Sequence, residues 1–233
     1  MKTAVRRAAI VVGAGAAAAG IFGLGYVGLN WARYGKSTGN GRPDPLLDRF
    51  MPSYEVREYH QTEVAAPAEV AFGVARELDM QKSGLVWAIF KGRELLMGAD
   101  STRREAQSFL SEVMALGWRV LHEEPGRKLV MGAVTQPWEA NVIFRGLDRE
   151  EFASFGDPGY VKIVWTLEAE PTSDATSIFR TETRVTTTDP ASRRRFRRYW
   201  SLVSPGVVLI RHEMLRLVRR EAARRFSGAP SPV

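Results

Sequence analysis

The chain has 233 residues, no cysteine, and a formal net charge of +7. The missing cysteines exclude disulfides, thiolate nucleophiles and cysteine metal sites. With 45% hydrophobic and 25% charged residues it is an ordinary globular composition, enough for one good-sized domain plus an appendage, without internal repeats or a long low-complexity tract.

Residues 1–7 are short and basic, with Lys2, Arg6 and Arg7. From Ala8 to Ala32 there is no charged residue. A run of that length can cross a hydrocarbon core of about 30 Å, which predicts a single transmembrane helix over 8–32. Two other readings stay open. A basic start and small residues from Ala14 to Ala19 also suit a cleaved export signal, although the apolar core of such signals is shorter. Ile10 to Ala18 imitates a strand entering a dinucleotide-binding glycine turn, but no acidic residue stands about twenty positions on, where that fingerprint needs one. The expected location is a membrane, single-pass. Its orientation is undetermined, because Lys2, Arg6 and Arg7 before the run balance Arg33, Lys36, Arg42 and Arg49 after it.

Residues 33–53 read as a tether, with Gly35, Ser37, Gly39, Gly41, Pro43 and Pro45 among polar neighbours. Within it Leu46, Leu47, Phe50 and Met51 suggest one helical turn docked on the domain. The domain proper is expected over 54–226, followed by a tail at 227–233. A strand at 54–64 leads to a helix with Pro67 at its start. Two further helical stretches follow, near 85–96 and 102–116, the second ended by Gly117. Strands are expected at 118–123 and 128–134, joined by Glu124-Pro125-Gly126-Arg127, whose proline and glycine suit the two central positions of a type II turn. A third strand is expected at 138–144, a polar, turn-rich stretch at 148–159, and a strand at 160–168. After a loop at 169–175 comes a last strand at 176–187. There, alternation puts Phe179, Thr181, Thr183 and Val185 on one face and Arg180, Glu182 and Arg184 on the other.

The longest element is a helix from Asp189 to Phe226. Asp189-Pro190 supplies an N-cap carboxylate and a proline whose missing N–H costs nothing there. Phe196, Trp200, Val203, Val207, Ile210, Met214 and Leu217 recur on one face, and Gly228 is a C-terminal stop. Such a helix spans about 55 Å and needs a broad apolar surface to lie on. Arg193, Arg194, Arg195, Arg197 and Arg198 crowd its first turns, where cations oppose the macrodipole. They read as a solvated face with carboxylate partners, or as a contact for an anionic membrane surface. Nucleic acid is the weakest of the three, since no binding motif accompanies the charge.

The order is strand, helices, antiparallel strands and a long terminal helix, an α+β domain. Val64-Ala65-Ala66-Pro67 with Val70, Trp118 to Leu121 with Glu124-Pro125-Gly126, and Thr181 to Val185 followed by Asp189, Phe196, Tyr199, Trp200 and Ile210-Arg211 resemble the START-like (SRPBCC) superfamily, in particular an uncharacterised branch of it. The resemblance covers about 54–226. It implies a helix-grip fold, in which a curved antiparallel sheet wraps around the C-terminal helix, and an apolar, ligand-holding cavity between the two. Members of the superfamily include lipid carriers and polyketide cyclases, and no catalytic set is common to it.

No metal or other cofactor is expected. His60, His122 and His212 lack ligand spacing, and His122 and Glu123, as strand neighbours, face opposite ways. His212 is expected at the surface or its boundary. Glu182, flanked by Arg180 and Arg184, is either a salt-bridged outer face or a polar cluster at the cavity. Trp87, Trp118, Trp138, Trp165 and Trp200 are either plain core or pocket lining. The expected function is a membrane-tethered module holding a hydrophobic small molecule or lipid, with Trp87, Trp118, Trp138, Trp165, Glu182, Arg184 and Trp200 as ligand residues. The alternatives are a cyclase or aromatase-type enzyme using Glu182 and Arg184, and a filled-core domain for protein contacts.

Overall fold

The computed structural model describes residues 44–80, 83 and 108–228. In chain order the elements are α1 (Pro45–Asp48), β1 (Val56–Val64), α2 (Ala68–Glu77), α3 (Phe109–Ala115), β2 (Arg119–Glu124), β3 (Lys128–Thr135), β4 (Phe144–Arg145), α4 (Arg149–Ser154), β5 (Val161–Ser173), β6 (Thr176–Thr187) and α5 (Pro190–Ser227). One curved antiparallel sheet runs in the order β1-β6-β5-β3-β2, and β4 continues the β2 edge of β3. With α5 lying against β1 and β6, the architecture is that of a helix-grip fold.

Several local signals act as expected. Asp189 accepts from the Ala191 and Ser192 amides at 2.8 and 3.0 Å and so caps α5. Gly228 closes α5 in the left-handed conformation at φ 69°. In the β2–β3 turn the Arg127 amide bonds the Glu124 carbonyl at 3.1 Å, and Gly126 takes the positive φ, 72°, that a type II turn demands.

Other expectations are corrected. The stretch expected as a strand at 138–144 contributes only Phe144–Arg145, because Pro137 and the turn after it interrupt the ladder. The turn-rich 148–159 contains α4, which forms because it can bury Phe152. The loop expected at 169–175 is mostly strand: β5 reaches Ser173, and the chain reverses at Asp174-Ala175. Within 33–53, the helical turn expected to dock on the domain is present as α1, with Leu47, Phe50 and Met51 as core side chains. The helix expected at 85–96 and residues 102–107 of the next lie outside the described residues, as does the span at 8–32. Among the described residues no helix is long and apolar enough to cross a membrane.

Alternation along the strands gives the sheet two different faces. The outer face carries Val130, Val134 and Val164 and is covered by α1, the 50–54 segment and α4, through Leu47, Phe50, Met51 and Phe152. The inner face receives α2 and α5. Its core falls into two clusters. One joins Val64, Leu129, Met131, Trp165, Leu167 and Phe179 to α2 and to Met214, Leu215, Val218 and Ala222 of α5. The other joins Val56, Val161 and Val185 to Phe196 and Trp200. α5 runs from one cluster to the other.

Candidate functional site

The interval between the two clusters is polar on each of three elements. On β1, Glu58 and His60 stand between Val56 and Val64. On β6, Thr181 and Thr183 stand between Phe179 and Val185. On α5, Ser204 and Arg211 stand between Trp200 and Leu215. The register makes this one belt, because His60 faces Thr181 and Glu58 faces Thr183 across the β1–β6 ladder. Arg211 then reaches in from the helix and donates from Nη2 to Thr183 Oγ1 at 3.1 Å, with its guanidinium 5.4 Å from the Trp165 ring centroid.

The belt is under-satisfied. Thr181 Oγ1, His60 Nε2 and Ser204 Oγ are buried without a hydrogen-bond partner among the described residues. His60 Nε2 lies 3.4 Å from Glu58 Oε2, without hydrogen-bond geometry. The rings of His60 and His212 meet edge to face at 4.9 Å. Arg211 sits deep in the protein yet keeps some accessible surface, and burial pulls its guanidinium down to about 10, with Glu58 opposing the drop. Among the described residues no carboxylate is within ion-pair distance of Arg211. Buried hydroxyls, a ring nitrogen and an arginine in this condition suit a polar group delivered from outside the chain.

Apolar side chains around the belt are only half-buried. Ile163, Val203 and Val207 border the second cluster, and Trp118, Val120 and Ile210 border the first. Of the seven residues expected along the inward face of α5, Phe196, Trp200 and Met214 are buried, whereas Val203, Val207, Ile210 and Leu217 are intermediate.

The tryptophans divide. Trp165 is buried on the inner face and meets Trp118 at 6.0 Å between centroids; Trp118 also meets Phe144 at 5.1 Å. Trp200 stacks on Phe196 at 5.8 Å in the second cluster. Trp138 borders that cluster, with its Nε1 buried and unpaired among the described residues and Arg195 over its ring. Trp87 lies outside the described residues.

Glu182 and Arg184 are on the other side of the sheet. Glu182 takes two hydrogen bonds from Arg57, at 3.0 and 2.9 Å, and one from Arg184 Nε at 2.7 Å. Arg184 is 0% exposed and also donates to Asp48, to the Met51 carbonyl and to the Asp44 carbonyl, beneath the Tyr54 ring. Alongside, Lys128 reaches Asp44 at 2.5 Å and Glu168 at 3.3 Å, while Arg180 pairs with Glu170. The expectation that Glu182 and Arg184 flank the cavity is therefore corrected. They do not face α5, and they are saturated with protein partners that attach the 44–54 segment. His122 pairs with Glu124, and Glu123 faces the other way to Arg76.

No group of three or more acidic or histidine side chains among the described residues could hold a metal ion. A shallow open groove of about 490 Å³ lies on the surface between α2 and the start of α3, lined by Glu69, Arg76, Glu77 and Ser111 among others. It is not part of the sheet–helix interval. In the arginine run, Arg193 pairs with Glu55 at 2.6 Å, and Arg194, Arg195 and Arg198 are exposed.

No known family matches the sequence, and no curated protein does. Solved structures match the chain at low similarity. The di-domain aromatase/cyclase BexL of the BE-7585A biosynthetic pathway is 14% identical, with a TM-score of 0.34 over 71% of this chain and 45% of its own. The chain thus spans under half of that di-domain protein. CalU16 from Micromonospora echinospora is 13% identical, with a TM-score of 0.25 over 74% of this chain and 86% of its own. A START superfamily protein from Mycobacterium smegmatis is 11% identical, with a TM-score of 0.26 over 74% of this chain and 97% of its own.

Proposed function

We propose that this chain is a START-like module that holds a hydrophobic small molecule or lipid between its sheet and α5 without transforming it. One observation carries the reading. The inner face is not one continuous core but two clusters, and Ile163, Val203, Val207 and Ile210, which border the interval, stay half-buried. A helix pressed against a filled core would hide such side chains, because protein interiors pack at crystal density. The uncharged run at 8–32 fits a membrane anchor for the same module. Exposed Arg194, Arg195 and Arg198 fit contact with an anionic membrane surface.

The cyclase or aromatase reading loses the residues it relied on, since Glu182 and Arg184 lie beyond the sheet. The test is a titration of the full chain with 1-aminoanthracene, a neutral apolar fluorophore. Saturable binding at one site, lost in Val207→Trp, which fills the interval, is the expected result. Non-saturable fluorescence, or binding indifferent to Val207→Trp, overturns the reading and favours a filled core serving protein contacts.

A further inference from the structure

We infer that the polar belt is a headgroup site, and that the bound molecule is an amphipathic monoanion, an organic acid whose carboxylate is held by Arg211 and the hydroxyls of Thr181 and Thr183. The inference rests on the reading above that a ligand occupies the sheet–helix interval.

The geometry favours an anion. Arg211 brings the belt a cation with donors to spare. Its guanidinium carries five N–H groups, and within the described residues it has one hydrogen bond, to Thr183, and the Trp165 face. A planar guanidinium with free donors is matched to a carboxylate, which it can hold in a bidentate pair. Thr181, 1% exposed and directly opposite His60, has a hydroxyl with nothing to bond. Both groups belong to the interval bordered by Ile163, Val207 and Ile210, so an acid seated here has apolar walls for its tail.

The same belt limits the charge. Glu58 stands on the inner face opposite Thr183, and its side chain is 12% exposed. Its carboxylate acts on Arg211 from beyond contact distance. One carboxylate already present offsets part of the arginine's charge, so a dianionic phosphate finds a poorer site than a monoanion. His60, two residues after Glu58 and opposite Thr181, has the His212 ring against it.

Binding to the full chain is measured with cis-parinaric acid and with its methyl ester, which keeps the tail and removes the charge. The acid is expected to bind about tenfold tighter than the ester or better. Arg211→Leu should bring the two within about threefold, and Arg211→Lys should restore part of the difference. Thr181→Val should weaken the acid more than the ester. It also keeps the test standing should the arginine variant fold poorly. In competition, dodecanoate should displace the probe better than dodecyl phosphate does. Equal binding of acid and ester, a preference surviving Arg211→Leu, or tighter binding of the phosphate each overturns the assignment. If neither acid nor ester binds, the ligand reading itself fails and this one with it.

Discussion

Arg184 and Asp48 meet at 2.6 Å, 136 residues apart in sequence, and this contact fastens the chain before β1 to the outer face of the sheet. The arginine is fully buried and the aspartate half-exposed, so the two ends of the bond differ in what their loss would do. Removing a buried charge that others depend on costs about 3–5 kcal/mol. Glu182 keeps Arg57 when Arg184 is gone, which points to the lower end of that range. Arg184→Met is therefore expected to destabilise the protein by about 3 kcal/mol. Asp48→Asn should cost about 1 kcal/mol or less, as for partly exposed pairs. Urea titration of the full chain measures both, and near-equal losses would contradict this division.

Gly132, in the middle of β3, is an outer-face position that α4 covers with Phe152. A Cβ there would stand 2.5 Å from Leu121 Cδ1 and 3.1 Å from Phe152 Cε2. Leu121 and Phe152 are both buried, so neither has room to retreat. Gly132→Ala is expected to lower stability by about 1–3 kcal/mol, the usual cost of overpacking. Gly73 on α2, where an added Cβ meets nothing within 4 Å, is the control: Gly73→Ala should be neutral or stabilising, as for a helical glycine with open space beside it. A neutral Gly132→Ala would mean that α4 can shift away.

Two carboxylates at the ends of α5 link stability to pH. Bonds from the Ser192 hydroxyl, and from the Gly159 and Ser192 amides, hold Asp189 well below the usual carboxylate range. Glu221 is drawn down to about 2, first by its hydrogen bond from Arg224 and then by Arg225. On lowering the pH the unfolded chain takes up these protons near pH 4, while the folded chain resists. Their contribution is complete above about pH 5 and is lost as pH falls through the folded values. Urea midpoints measured at steps between pH 6 and pH 2 should therefore decline. Both groups are only partly buried and solvent screens them, so the slope they add is small. Asp189→Asn, which keeps a capping oxygen, should flatten the decline; an unchanged profile would show that Asp189 does not set it.

Most of the frame was legible in the sequence. The Asp189 cap, the Gly228 stop and the Pro125-Gly126 turn act through local geometry, which short motifs encode directly. The headgroup set was harder to find. Alternation did place Thr181 and Thr183 with Phe179 and Val185, but which face of β6 meets α5 depends on tertiary packing. On the helix, choosing only apolar residues selected Ile210 and passed over Arg211, which lies four residues after Val207 and four before Leu215 on the inward side. Glu182 and Arg184 attracted notice as charges in a strand. Their role became visible only once residues 44–54 were seen folded over them, a contact between distant parts of the chain that no local pattern encodes.

Pro205 is the least expected residue of α5, because the helix passes through it without a break. Proline lacks the N–H that would bond the Ser201 carbonyl, and its ring crowds that same group. In a helix interior these effects cost about 3 kcal/mol. Gly206 beside it adds backbone freedom that folding must remove. Both stand where α5 crosses the interval, between the partly buried Val203 and Val207. A site in the closed core would gain nothing from such a weak point, whereas a helix spanning a ligand gap can bend there. Pro205→Ala is expected to raise stability by about 1–3 kcal/mol, since it restores the missing bond without touching either apolar cluster. Urea titration reads the gain directly. The accompanying change is in the rate at which 1-aminoanthracene saturates the full chain: a stiffer helix should slow it. A stabilised variant with unaltered uptake would separate the proline from ligand access, and a destabilised one would show that proline at 205 is required for α5 to reach both clusters.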